Sequence, residues 1–282
     1  MTHRQPFTTP AVLLRKVTYG ESDVVAAFFS LSAGKISCFA KAAKYSMKRF
    51  GGGLESFHVT DITVETPRRG DLYLLKESSL RTAFEGIRTD PIKTASAGYW
   101  CELIERWLEP ALPSPRVFQL LSNSLEILNE GKIEPEAAGI LFQIHLLKLL
   151  GLSPELSKCQ GCGTEANAIK VDRLGFDLEK GGLLCHKCRT NFAHVVPLSK
   201  GTAMQLKWLQ ERDFSMGQRA RFSRQGLREG TGMLEAFVPR HMGCHPKSLR
   251  VLTGMRDGSG YGRDLELPGK SGGTGEMKEC PM

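Results

Sequence analysis

In the first third of the chain, apolar residues come in short runs that alternate with polar ones, and each run stops at a turn signal. AVLLRKVTY (11–19), VVAAFFSL (24–31), GKISCFAKAA (34–43), HVTDITVET (58–66) and DLYLLKES (71–78) read as five strands. Residues 20–23, Gly34, the glycine run 51–53 and residues 67–70 separate them. Five short strands in so little chain suit a small closed barrel. The OB-fold is such a barrel, and its strand face commonly seats single-stranded nucleic acid.

After Asp90 and Pro91 the period lengthens to that of a helix. Trp100, Leu103, Ile104, Trp107 and Leu108 fall on one helical face, Val117, Leu121, Leu125 and Leu128 on a second, and Ile140, Leu141, Ile144, Leu147 and Leu150 on a third. Gly151 is placed to cap the third helix, and Pro154 stops it from resuming. Ser199 is an N-cap candidate for a later helix carrying Met204, Trp208 and Leu209. A further apolar stretch runs from Met233 to Val238. Gly- and Arg-rich sequence over 217–232 reads as a poor helix, and Pro239 predicts a lost hydrogen bond and a kink. From Gly254 onward glycine dominates and apolar residues are few, so no core offsets the entropy of ordering, and a disordered tail is expected over 253–282. No repeat of solenoid length is visible.

At 282 residues the chain has room for two medium domains, and 41% hydrophobic residues supply a core. No run reaches the roughly 18 apolar residues of a membrane span, and the segment MTHRQPFTTP has no apolar signal core. A cytoplasmic protein is therefore expected, and in a reducing cytosol paired cysteines read as metal ligands before disulfides. Cys159-Gln-Gly-Cys162 and Cys185-His-Lys-Cys188 have the spacing at which two knuckles deliver four sulfurs to one tetrahedral zinc ion. The sequence between them, 168–184, reads as the hairpin of a zinc ribbon, and Gly163 relieves the turn. His186 and His194 are alternative ligands. A thioredoxin-like redox pair would need a cysteine pair opening a helix after a strand, which this context does not offer. A closed four-thiolate site leaves no position for water, so the metal implies architecture rather than catalysis.

The formal charge of +8 points to an anionic partner but does not choose between nucleic acid and other anions. Its distribution says more. Residues 24–54 contain no Asp or Glu, and Lys35, Lys41, Lys44, Lys48 and Arg49 fall within them, interleaved with Phe28, Phe29, Phe39, Tyr45 and Phe50. Cations that neutralise phosphates and flat rings on which bases stack are what a single strand requires. Phe28, Phe29 and Phe39 fit better as barrel filling, whereas Tyr45 and Phe50 suit stacking and packing equally. A second basic segment holds Lys207, Arg212, Arg219, Arg221, Arg224 and Arg228, followed by Arg240, His241, His245, Lys247 and Arg250. It suits DNA, an acidic partner peptide or a solvated face. No Walker-type loop, His-Glu-x-x-His helix or Gly-x-Ser-x-Gly elbow is present, which favours a binding protein over an enzyme.

Taken in order, YGESD from Tyr19, GKISCFAKAAKYSMKRFGG from Gly34, LESFHV from Leu54, LGLSPELSKCQGCG from Leu150 and HMGCHPKSLRVL from His241 resemble the RecO family of recombination mediators. The resemblance implies an α+β multidomain fold: an N-terminal OB-fold barrel over 1–80, then an α-helical domain over 81–252 with a zinc ribbon inserted at 157–193. It implies a DNA repair mediator without enzyme activity, bacterial and nucleoid-associated, that binds single- and double-stranded DNA and anneals complementary strands. With RecR, such a protein helps load RecA onto DNA coated by single-strand-binding protein, whose acidic C-terminal tail it contacts. Carried over by residue, Lys35, Lys41, Lys44, Lys48 and Arg49 would touch DNA, and Cys159, Cys162, Cys185 and Cys188 would hold zinc. Tyr45 and Phe50 join the DNA candidates by composition, and Arg240, Lys247 and Arg250 are the candidates for the partner tail. The rival expectation is a regulatory protein that uses its zinc ribbon to read duplex DNA, which differs in demanding discrimination between sequences.

Overall fold

Alternation within the first strand places Ala11 and Leu13 in the barrel interior, and a register shift between Leu13 and Arg15 lets the strand bend around it. The computed structural model describes residues 6–67 and 69–257, which divide into two compact units, one ending at Glu130 and one starting at Gly131. In the first unit, β1 (Phe7–Tyr19), β2 (Asp23–Ser30) and β3 (Gly34–Ala40) form an antiparallel meander. A short helix α1 (Met47–Phe50) precedes β4 (Val59–Glu65) and β5 (Leu72–Thr82). Long β1 pairs with β2 on one side and with β4 on the other, and β3 runs parallel to β5, so the sheet closes in the order β1-β2-β3-β5-β4. This is the five-stranded, OB-like barrel the alternating pattern predicts.

Three helices complete the unit: α2 (Glu85–Arg88), α3 (Pro91–Trp107) and α4 (Pro115–Glu130). Asp90 caps α3, its carboxylate accepting from the N–H groups of Ile92 and Lys93 at 2.9 and 3.1 Å, and Pro91 occupies the first turn where no N–H is needed. Arg15 on the outer barrel face pairs with Glu105 of α3 at 2.9 Å, and the ring of Phe29 in β2 packs against Phe118 of α4 at 5.9 Å.

The second unit opens with α5 (Pro135–Leu149), which is apolar all round and buried along most of its length. The chain then crosses the cysteine region, where β6 (Arg173–Asp177) pairs with β7 (Gly182–Leu184), as the hairpin reading requires. β6 also pairs with β8 (Val195–Ser199), so the ribbon gains a third strand beyond the expected boundary at residue 193. Pro197 is tolerated there because β8 lies at the sheet edge. The remaining helices are α6 (Lys200–Glu211), α7 (Phe214–Gly217), α8 (Arg224–Met242) and α9 (Lys247–Arg256). Ser199 caps α6 by accepting from the N–H of Thr202, as its position suggests.

Two expectations for this region are corrected. The glycine-rich stretch is helical from Arg224, capped by Ser223, because its glycines let helices approach closely: a Cβ on Gly230 would sit 3.0 Å from Ile140 of α5. As expected, Pro239 lies inside a helix, buried one turn before Gly243 closes α8 at φ 73°. Order does not stop at residue 252. Arg256 at the end of α9 pairs with Glu235 of α8 at 2.5 Å and faces Glu136 of α5 at 3.5 Å, which fixes the last helix to two others. From 258 on, the expected tail lies outside the described residues.

Gly34 and Gly20 both have positive φ, at 67° and 60°, but a Cβ on Gly34 would lie 2.2 Å from the carbonyl oxygen of Leu112, whereas one on Gly20 would meet nothing within 4 Å. We expect Gly20→Ala to cost about 1 kcal/mol, the left-handed backbone penalty alone, and Gly34→Ala at least about 3 kcal/mol. Urea denaturation of the two variants compares them directly, and equal losses would show that the contact with Leu112 carries no constraint.

Candidate metal centre and nucleic-acid interface

In the second unit two tight turns place the cysteines. The Cys159 carbonyl accepts from Gly163 N–H at 2.8 Å and the Cys185 carbonyl from Cys188 N–H at 3.1 Å, and Gly163 adopts φ 72° where a side chain would strain the turn. The two knuckles press together at Gly161, where a Cβ would come within 2.8 Å of the Cys188 side chain. The four sulfurs all lie within 4.8 Å of one another, and those of Cys162 and Cys185 are 3.9 Å apart. Sulfurs about 2.3 Å from a shared tetrahedral ion sit roughly 3.8 Å from each other, so the set fits one metal ion. Such crowding is unfavourable without a cation: burial and the neighbouring sulfurs push the Cys188 thiol up to about 12, while hydrogen bonds from Thr164 draw Cys162 down to about 6. Cys185 N–H donates to the Cys159 sulfur at 3.2 Å, an outer contact that would orient a bound thiolate.

Neither histidine joins the cluster. His194 instead has Nε2 at 3.2 Å from Glu179 and Nδ1 at 3.2 Å from the guanidinium of Arg240, so it ties the ribbon to α8. The ring of His186 is half-buried, and its Nδ1 has no hydrogen-bond partner among the described residues.

In the first unit the acid-free stretch becomes most of β2, all of β3, the loop after it and α1. This loop is anchored beside the β1–β2 turn, because Asp23 accepts from Ala42 N–H at 2.7 Å and the Ser22 carbonyl from Lys44 N–H at 3.1 Å. Lys41, Lys44, Lys48 and Tyr45 are exposed, the last at 78%, and the three lysines make no ion pair among the described residues. The structure separates these four from the other candidates.

Lys35 is turned towards α3, where its ammonium donates to the Glu105 carbonyl, and desolvation holds it below the usual lysine range despite Glu105 and Glu109 nearby. Arg49 is half-buried, donating to Ser46 Oγ at 2.9 Å and to the Lys41 carbonyl at 2.7 Å, so it braces the loop. Phe50 is corrected outright: at 5% exposure it belongs to the barrel core and offers no face to a base. Tyr19, by contrast, was not singled out by composition, yet it stands 63% exposed at the end of β1 with its ring 6.1 Å from that of Phe39. Besides opening the YGESD segment, it has the alternation of β1 as a sequence signal, which puts it on the same face as Val17.

Of the partner candidates, Arg240 lies near the end of α8 and also faces Glu179 at 3.5 Å. Lys247 opens α9 half-buried, and Arg250 is exposed on it.

Comparison with known proteins decides the family. Residues 1–84 match the model of the recombination protein O N terminal and residues 88–250 that of its C terminal. The chain is 40% identical to the DNA repair protein RecO of Desulfatibacillum aliphaticivorans over 252 residues, which cover 89% of this chain and 98% of that one. It is 35% identical to the DNA repair protein RecO of Desulfosudis oleivorans over 255 residues, 89% of this chain and 98% of the other, and 35% identical to that of Geobacter metallireducens over 244 residues, 86% and 96%. The chain belongs to the RecO family. This RecO protein thus combines an OB-like barrel and a helical unit with a four-cysteine cluster, and among its described residues no helix is long and apolar enough to cross a membrane.

Because metal binding and folding share their free energy in such modules, removing one ligand should loosen the ribbon. Cys185→Ser is expected to lose bound metal and to make the 157–193 region sensitive to proteolysis while the barrel stays folded. Elemental analysis of the reduced protein reads the first effect. Full metal content in the variant would reassign the fourth ligand, with His186 the first candidate.

Proposed function

We propose that this chain is a recombination mediator: it binds single- and double-stranded DNA, anneals complementary strands, and with RecR helps load RecA onto DNA coated by single-strand-binding protein. The observation that carries the reading is the anchored, acid-free loop of Lys41, Lys44, Tyr45 and Lys48 on an OB-like barrel in a chain of the RecO family. Three ammonium groups with no acidic partner among the described residues, on a loop held beside the β1–β2 turn, suit the phosphates of a strand and carry no information about base identity. Tyr45 adds a ring beside them. Lys35 and Arg49 support the loop and the barrel instead of contacting DNA. The metal is zinc in this reading, since four thiolates in a closed set are its structural donor set, and it holds the ribbon together without taking part in chemistry. The basic end of α8 and α9, with Arg240, Lys247 and Arg250, receives the acidic tail of single-strand-binding protein, whose carboxylates the three cations complement. Nothing in the reading calls for catalysis.

The reading is tested by annealing of complementary oligonucleotides coated with single-strand-binding protein. Acceleration by the wild-type chain is expected, and its absence would refute the mediator role.

If the three exposed lysines engage, the logarithm of single-strand affinity should fall against the logarithm of salt concentration with a slope of about 2, from roughly 0.7 per phosphate. Lys44→Ala with Lys48→Ala should lower that slope by about 1.4 and weaken unrelated sequences alike. A slope unchanged in the double variant, with circular dichroism intact, would make the loop a solvated face. For the tail, the triple replacement of Arg240, Lys247 and Arg250 by Ala should weaken a labelled tail peptide at least about ten-fold, from roughly 1.5 kcal/mol per charge-assisted hydrogen bond lost. Unchanged affinity for the peptide would move the partner surface elsewhere.

A further inference from the structure

Folding sorts the second basic segment of the chain. Lys207 pairs with Glu211 at 3.8 Å, the guanidinium of Arg212 lies over the Trp208 ring at 5.9 Å, and Arg240 faces Glu179 at 3.5 Å. Arg219, Arg221, Arg224 and Arg228 are left exposed, and their guanidinium groups make no ion pair or hydrogen bond among the described residues. Residues 214–228 contain no Asp or Glu, and every cation among them is arginine. The next acid, Glu229, is already engaged, its carboxylate accepting from Ser199, Thr202 and Gln225. Asp172, which lines one cleft with Arg221, accepts from the N–H of Lys200.

The four arginines stand on a held backbone. Gly217 lets the end of α7 press against α5, since a Cβ there would lie 2.3 Å from the Leu141 side chain. The N–H groups of Arg219 and Ala220 donate to the carbonyls of Met216 and Gly217 at 3.1 and 3.0 Å, and Gln205 of α6 donates to the Arg221 carbonyl at 2.8 Å. Ser223 then caps α8, so that Arg224 opens the helix and Arg228 follows one turn later on the same face. No acid occupies the first turn, and cations there oppose the helix dipole. Such a concentration of like charge is relieved by an anion from outside the chain.

We propose that this arginine cluster is a duplex-DNA site on the second unit, distinct from the lysine loop of the barrel and directed at phosphates alone. It rests on the DNA-binding reading above and adds a surface for paired strands.

Residue type decides the occupant. A guanidinium offers a planar fork that meets two phosphate oxygens at once. A duplex carries one charge per roughly 1.7 Å of its axis, about twice the linear density of a single strand. Its bases are already stacked on one another, so it asks for no protein ring, and the rings around the cluster, Trp208, Phe214 and Phe222, are half-buried. An acidic peptide would also pair with arginines, but peptide docking takes its affinity from apolar side chains set in pockets. Met216, at 42%, is the one large apolar side chain exposed between residues 214 and 228. The product of annealing is a duplex, so a chain that anneals strands has use for a surface that holds them once paired.

The test follows binding of a mixed-sequence duplex, and of one of its strands, across several salt concentrations. It uses wild type, the fourfold variant Arg219→Ala, Arg221→Ala, Arg224→Ala and Arg228→Ala, and the matching fourfold lysine variant. The alanine variant should lower the slope of log duplex affinity against log salt by about 3.6, from roughly 0.9 per phosphate neutralised, and leave single-strand affinity unchanged. The lysine variant should keep the wild-type slope, because its charge is the same. A duplex slope that alanine does not change overturns the site. So does an equal loss of single-strand affinity, or a lysine variant that behaves as the alanine one. Unchanged duplex binding together with loss of the labelled acidic tail peptide would overturn it in favour of a protein-docking surface. Wild type that binds neither form of DNA refutes the DNA-binding reading itself. All four side chains are exposed, so the variants are expected to fold.

Discussion

Side-chain alternation in a closed barrel is binary, and most of what this protein presents to a ligand depends on the register that closure enforces. β1 pairs simultaneously with β2 and β4 at Ala11 and Val12, and β3 closes the sheet against β5, so no strand can slip without breaking a second ladder. A one-residue slip would send Phe28 and Ile36 to the outside and Phe39 to the core. Fixed register therefore sets core and surface together: Cys38 faces inward while its neighbour Phe39 faces outward, one step from the loop of exposed lysines.

The second unit relies on a different constraint. Its ribbon has strands of only three to five residues, too short to bury a core of their own, and its two knuckles bring four sulfurs together at a point where only glycine fits between them. A cation bound there would relieve the crowding and make the turns cooperative. β8 then leads directly into α6, whose cap, Ser199, shares the carboxylate of Glu229 on α8 with Thr202. The ribbon is thereby joined to the helices that carry Arg240 and, through Arg256 and Glu235, to α9. Gly230 on α8 admits Ile140 of α5 to close range, which is why a composition that weakens an isolated helix is compatible with a well-packed one here.

The amino-acid sequence by itself determined those features that depend on local spacing. Period-two runs and turn residues identified the five strands, period 3.6 the helical faces, and the two Cys-x-x-Cys pairs the four-cysteine cluster, because each signal is complete within a few neighbouring residues. Caps at Ser199 and Gly151 were legible for the same reason. What only the tertiary structure decided was the use of residues whose character is ambiguous in isolation. Lys35 and Lys44 look alike in the chain, yet one is turned into a carbonyl of α3 and the other is left to solvent. Phe50 and Tyr45 lie five residues apart in the same basic loop, and only folding sends the first to the core. Tyr19 is legible in the chain only as part of YGESD, because its ring partner Phe39 is distant in sequence and meets it only across the sheet. The glycine-rich stretch reads as a poor helix former, and only the packing of Gly230 against Ile140 of α5 outweighs that propensity. Local chemistry is written along the chain, whereas burial and pairing are properties of residues brought together from far apart, and those decide which cations and rings remain available to a ligand.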